Sequence, residues 1–158
     1  MSSPAVSIVV PIYNEYDNLT VLVDRIDAAM RSQPLSYELI AVDDGSKDDS
    51  AKLLLELAST RPWLRPVILA RNYGQSSALQ AGFDRVQGKY VVTLDADLQN
   101  EPDDIPLLLN RLETDASVDM VSGWRKDRQD AELSRKLPSK IANKLISNAT
   151  GVQLHDYG

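Results

Sequence analysis

The chain contains no cysteine. Disulfides and thiolate-bound zinc are therefore excluded from these 158 residues, and a reducing compartment fits. No apolar run approaches the roughly 18 residues that a membrane-spanning helix needs. Met1-Ser2-Ser3-Pro4 has no basic stretch ahead of an apolar one, so no secretory leader is expected. Histidine occurs once, and His155 reads as a surface residue rather than a ligand or base. There is no internal repeat, low-complexity tract or linker. Basic residues are scarce except in one place. Residues 1–124 hold 10 Lys and Arg against 19 Asp and Glu, a net charge of −9. Residues 125–144 hold 7 against 3, a net of +4. Such a body lacks the broad basic face of a general nucleic-acid binder. The local basic segment suits a phosphate group or an anionic membrane surface; on charge alone the plainer reading is a solvated helix face.

What is present is an ordinary globular composition. Hydrophobic residues at 43% and charged residues at 25% place the chain among soluble folded domains. Its length is about one domain, enough to bury a core. Short β-branched runs alternate with segments of helical spacing. Strands are expected at Val6–Ile12, Glu38–Val42, Pro66–Ala70, Lys89–Leu94 and Met120–Trp124. Helices are expected at Asn18–Ser32, after Ser46 or Asp48, at about Gln75–Val86, at Asp103–Glu113 and at about Arg135–Ala149. This regular alternation predicts an α/β fold, Rossmann-like, with a mostly parallel sheet and helices on both faces.

In such a sheet ligands bind beyond the carboxyl ends of the strands. Four polar clusters fall there: Tyr13-Asn14-Glu15, Asp43-Asp44-Gly45-Ser46, Arg71-Asn72-Tyr73-Gly74-Gln75 and Asp95-Ala96-Asp97. If the chain stays extended past the fourth strand, Asp95, Asp97 and Gln99 face one volume. Three oxygen ligands then suit a hard divalent ion, Mg²⁺ or Mn²⁺, bound together with substrate phosphates. The plainer reading is a solvated acidic turn. Tyr13 can lie against a base ring, and Glu15 can accept from ribose hydroxyls or a base edge. Asp44 can accept from a base edge, or simply form the turn before Gly45. Arg71 and Arg125 are cations for a diphosphate, with a strand-end salt bridge as the alternative for Arg71. Gly74 opens a helix whose N-terminus favours anions.

Taken together, these segments resemble the catalytic core of the family 2, GT-A-fold inverting glycosyltransferases. The similarity runs through Ser7–Glu15, Val42–Ser46, Arg71–Gln75, Ala81-Gly82-Phe83 and Leu94–Pro102, and covers nearly the whole chain. Arg125–Asp130, Ser139–Leu145 and Asp156-Tyr157-Gly158 are similar to the polyprenyl-phosphate branch, aminoarabinose type. The resemblance implies a nucleotide-sugar donor, with a UDP-sugar favoured and GDP-mannose as the alternative, and a polyprenyl-phosphate acceptor. It implies donor-binding roles for Pro11, Tyr13, Glu15, Val42, Asp44, Arg71, Asp95, Ala96, Asp97 and Arg125. It implies metal ligation by Asp97 and Gln99, with Asp95 on the ribose or the metal's water shell. Asp95, Asp97 and Asp156 are the implied catalytic residues, Asp156 orienting the acceptor. Full-length relatives continue past Gly158, so residues 1–158 are expected to be an N-terminal catalytic fragment of a longer membrane-associated protein. The fragment is expected to be soluble, with the full protein at the cytoplasmic face of a membrane of the cell envelope and a homo-oligomer an open alternative.

Two other classes share parts of this pattern. A saccharide hydroxyl could replace the lipid phosphate as acceptor. A receiver-type phosphoacceptor domain also combines paired acids after one strand with an Asp after a later one, as Asp43-Asp44 and Asp95 do. A receiver would begin at the Asp-Asp strand, leaving Val6–Ile12 unexplained. A sugar nucleotidyltransferase wants a Gly-rich, Arg-containing loop where this chain has Tyr13-Asn14-Glu15.

Overall fold

The computed structural model describes residues 3–123. The chain divides into two units, Met1–Asp119 and Met120–Gly158, and the fold below is that of the first. Its elements run β1 (Val6–Ile12), α1 (Tyr16–Arg31), β2 (Tyr37–Asp43), α2 (Ser50–Ala58), β3 (Leu64–Ile68), α3 (Gln75–Phe83), β4 (Tyr90–Thr93) and α4 (Ile105–Thr114). A short 3-10 turn over Pro102–Asp104 precedes α4. All strand pairs are parallel and the order is β3-β2-β1-β4. The registers align Ile8 with Leu39 and Val92, and Leu39 with Leu64.

Alternation along β1 divides the core. Val6, Ile8, Val10 and Ile12 pack with Leu19, Leu22, Val23 and Ile26 of α1, and Leu54 and Leu109 extend that layer. Val9, Ile40, Val42 and Ala78 form the second layer, under α3. Helices therefore cover both faces, as expected. Each of Leu19, Leu22 and Ile26 contributes about 1.5–3 kcal/mol by leaving water. Asp17 in the first turn of α1 and Arg31 in its last suit the helix dipole. Gly82 is buried because α3 lies too close for a side chain: a Cβ there would stand 2.4 Å from Val9 Cγ1.

Two expected elements differ. The third strand begins two residues earlier, at Leu64, and ends at Ile68. Pro66 thus sits inside it, which an outer strand tolerates because the missing N–H need not serve a ladder. Met120–Gly123 is not a strand, despite its apolar start, and Met120 is exposed. Composition alone does not make a strand; its backbone groups need a ladder partner. Trp124 and the last expected helix lie outside the described residues.

Candidate functional site

The carboxyl edge of the sheet is built by loops that hold one another. The β1–α1 turn is bound to the β2–α2 turn at four points. Asn14 N–H donates to Ser46 Oγ at 2.9 Å, and Lys47 N–H donates to Asn14 Oδ1 at 2.8 Å. Glu15 N–H donates to Ser50 Oγ at 3.1 Å, and Tyr16 N–H to Asp48 Oδ2 at 3.3 Å. Burial pushes the Asp48 carboxyl up, but hydrogen bonds from Ser50 and Tyr16 outweigh it and hold Asp48 below its ordinary value. Asn14 takes a left-handed conformation, φ 57°, which Asn tolerates better than most residues. Residues 46–49, read from sequence as only a helix start, are thus the brace behind Tyr13 and Glu15.

Asp44 makes the next link. Its carboxylate accepts Tyr73 N–H at 2.8 Å and Gly74 N–H at 2.9 Å, so the β3–α3 loop hangs on it. Asp44 is buried. Gly45 lets the two loops touch, since a Cβ there would lie 2.3 Å from the Arg71 carbonyl carbon, and its φ of 66° disfavours any side chain. Gly74, at φ 91°, turns the chain into α3.

These loops enclose a cleft of about 380 Å³. It lies at the switch point of the sheet, where the chain leaves β1 for β2 and β3 and later returns to β1's other side as β4. Pro11, Tyr13 and Glu15 line it from β1, Asp44 from β2, and Asp95, Ala96 and Asp97 from β4. Ile12, Asn72 and Gln75 line it too; Asn72 and Gln75 belong to the polar cluster expected at this edge, but none of the three carried an individual role. Glu15 Oε2 is held by Asn18 Nδ2 at 2.7 Å.

The extended path assumed for Asp95–Gln99 is corrected. The strand ends at Thr93, residues 96–97 form a turn, and Leu98 is left-handed at φ 59°. The turn closes through Gln99 N–H on Asp97 Oδ1 at 3.0 Å. Alternation therefore does not aim Asp95, Asp97 and Gln99 at one point. Asp95 and Asp97 still share the cleft, whereas Gln99 does not line it. Val42 is fully buried in the α3-side core and Arg71 stacks on the Tyr73 ring, its Cζ 4.7 Å from the centroid. Neither side chain lines the cleft. Arg125 and Asp156 lie outside the described residues.

The donor set has a clear chemical bias. Four carboxylates line the cleft, and among the described residues no Lys or Arg does. Among the described residues no three His, Asp or Glu side chains form a cage for a metal ion. A pair of acids without a full cage fits Mg²⁺ or Mn²⁺, which retain water and complete their shell with substrate phosphates.

Comparison with known proteins identifies the family and the fold. The family model described as glycosyl transferase family 2 matches residues 7–158. The chain is 46% identical over 165 residues to dodecaprenyl-phosphate galacturonate synthase of Rhizobium johnstonii, covering all of this chain and 47% of that protein. It is 47% identical over 154 residues to undecaprenyl-phosphate 4-deoxy-4-formamido-L-arabinose transferase of Klebsiella pneumoniae, covering 97% and 46%. The chain thus spans about half the length of these curated relatives. Among solved structures it is similar to a mannosyltransferase from Pyrobaculum calidifontis in complex with GDP-Man and Mn²⁺. That match has 27% identity and a TM-score of 0.59, over 71% of this chain and 33% of that one. Glucosyl-3-phosphoglycerate synthase from Mycobacterium tuberculosis, at 23% identity and a TM-score of 0.66, shares the fold over 92% and 50%. A receiver-type sheet beginning at the Asp-Asp strand β2 would place that strand between the two strands that follow it, whereas here β2 lies between β3 and the preceding β1. The fold is of the GT-A type, and the chain belongs to glycosyl transferase family 2.

Proposed function

We propose that residues 1–158 are the donor-binding part of an inverting glycosyltransferase that moves a sugar from a nucleotide to a polyprenyl phosphate. The observation that carries this reading is the shared cleft. Asp95 and Asp97, after β4, line it together with Tyr13 and Glu15, after β1, and Asp44, after β2. The names of the two curated relatives support a lipid-phosphate acceptor. A UDP-sugar is the favoured donor.

In this reading Tyr13 packs against the base, and Glu15 and Asp44 accept from the nucleoside. Asp95 and Asp97 would hold Mg²⁺ or Mn²⁺, and Gln99, from the same loop, would join them only by turning its side chain toward the cleft. When bound, the cation supplies Lewis acidity at the diphosphate. The acceptor phosphate oxygen forms a bond to the anomeric carbon while the bond from that carbon to the diphosphate breaks, inverting the centre. A phosphate monoester, with a second pKa of about 6, is already ionised at neutral pH and needs no general base. From the sequence, Arg125 is assigned as a cation for the diphosphate and Asp156 as the residue that orients the acceptor. The basic segment 125–144 meets the lipid phosphate or the membrane surface, with no role for nucleic acid.

Calorimetric titration with UDP and Mn²⁺ tests the reading. The unaltered chain is expected to bind UDP more tightly with Mn²⁺ than with EDTA, and Asp97→Asn to abolish that difference. An Asp97→Asn chain with unchanged Mn²⁺-dependent binding overturns it. A thermal-shift screen of UDP, GDP and their sugars then separates the donors.

A further inference from the structure

Asp95 is held from outside its own turn. Gln75 Nε2 donates to Asp95 Oδ1 at 2.9 Å. From within the loop, Asn100 Nδ2 reaches Oδ2 at 3.4 Å, a weaker contact. Gln75 is the first residue of α3, and its position is set one residue earlier, where Gly74 N–H is fixed on Asp44. A chain of contacts therefore runs across the cleft from the end of β2 to the end of β4. It passes from Asp44 to Gly74, from Gly74 to Gln75 and from Gln75 to Asp95.

We propose that Gln75 is a positioning residue for Asp95. It holds the Asp95 carboxylate at Oδ1, where the turn after β4 offers the weaker Asn100 contact to Oδ2, and ties the loop after β4 to the loop after β3. The inference rests on the donor-site reading above. The chemistry favours an amide at this point. A carboxylate has about four lone-pair positions. One amide N–H fixes its orientation and leaves the others for a cation or a ribose hydroxyl. A Lys or Arg would compete with the cation, and a second carboxylate would repel Asp95. Partners that orient metal-binding carboxylates are worth about 10–100-fold in metal affinity.

The test uses the 158-residue chain and Gln75→Met, which preserves length and shape but removes the donor. UDP affinity is measured with Mn²⁺ and with EDTA, alongside the melting temperature. The expected result is a loss of about tenfold or more in Mn²⁺-dependent UDP affinity. Because Gln75 lines the cleft, metal-free UDP affinity should fall as well but by much less than the Mn²⁺-dependent affinity, with the melting temperature near the parent's. A purely structural role would lower all three together, and that outcome overturns the inference. A second readout needs no ligand. The Gln75 side-chain amide resonances should move in Asp95→Asn, and unmoved resonances also overturn it. If the parent binds UDP equally with Mn²⁺ and EDTA, the donor-site reading falls and takes the inference with it. If the parent is Mn²⁺-dependent and Gln75→Met matches it, the inference alone falls.

Discussion

Ser7 Oγ donates to Glu38 Oε1 at 2.6 Å, at the end of the sheet opposite the cleft. Both residues are buried. Arg65 forms an ion pair with the other Glu38 oxygen. Gln87 N–H donates to Glu38 Oε1 at 2.9 Å, and Gly88 N–H to Ser7 Oγ at 2.9 Å. This network joins the starts of β1, β2 and β3 to the turn before β4. It fixes β4, and hence Asp95 and Asp97, from below.

Glu38 predicts a pH dependence with a definite sign. Burial pushes its carboxyl up, but the hydrogen bonds from Ser7, Arg65 and Gln87 outweigh this and hold it below the ordinary 4.5. A depressed carboxylate adds stability that is complete above its unfolded pKa and is lost as pH falls through the folded one. Glu38→Gln should therefore cost about 1–3 kcal/mol at pH 7, the scale of a buried charged hydrogen bond left unmade. The gap from the parent should shrink as pH falls below the ordinary carboxylate range. Urea unfolding of both chains at pH 7 and pH 3.5 checks this, and a gap that grows in acid contradicts it.

Gly82 predicts a packing effect. A Cβ at that position would meet Val9 Cγ1 at 2.4 Å and Val42 Cγ2 at 3.3 Å, and Val9 is fully buried. Alanine gains up to about 1 kcal/mol in helix propensity. Overpacking costs about 1–3 kcal/mol and should win here, since neither valine has room to move. Gly82→Ala is expected to lower the unfolding midpoint. Adding Val9→Ala should recover part of the loss, because the two side chains then share the space. Simple additivity of the two changes would show that no clash exists.

The parts of this molecule visible in the sequence are those that repeat locally. The spacing of Leu19, Leu22, Val23, Ile26 and Met30 announces α1, and all five are buried. The β-branched runs announce β1 and β2 almost to the residue. The placement of Tyr13, Glu15, Asp44, Asp95 and Asp97 at one edge followed from strand direction alone, and all five line the cleft. What stayed hidden depends on through-space contact. Gln75 is 20 residues from Asp95, and nothing near either announces their bond. Asp44 looked like a turn former or a base acceptor, and its hold on Tyr73 and Gly74 spans about 30 residues. Alternation misled at Asp95–Gln99 because the rule holds only while the backbone is extended, and Leu98 leaves that region.

Asp44 predicts a loss that differs in kind from that of Asp97. In Asp44→Asn one acceptor oxygen becomes an amide donor facing a backbone N–H, so either Tyr73 or Gly74 loses its partner. An unmade buried bond of this type costs about 1–3 kcal/mol. The loop displaced with it carries Asn72 and Gln75, which line the cleft. Asp44→Asn should therefore weaken UDP binding with Mn²⁺ and with EDTA alike, and lower the melting temperature. Asp97→Asn should leave the EDTA value and the melting temperature near the parent's. Calorimetry and thermal denaturation on the two variants separate a loop anchor from a metal ligand. Identical profiles would remove the distinction.

Asn14 gives the most specific ordering. Its φ of 57° costs an ordinary residue about 1–2 kcal/mol, and its Oδ1 accepts Lys47 N–H at 2.8 Å. Alanine loses both the tolerance and the bond. Glycine loses the bond but accepts the backbone angle freely. Asn14→Ala should thus be destabilised by about 2–3 kcal/mol and Asn14→Gly by about 1 kcal/mol. Both remove one of the four contacts between the β1–α1 and β2–α2 turns, and Tyr13 and Glu15 flank the altered residue. UDP affinity should follow stability, with alanine the weaker binder. Denaturant titration gives the first order and calorimetry the second. An alanine variant as stable as the glycine one would mean that the left-handed backbone at Asn14 carries no strain.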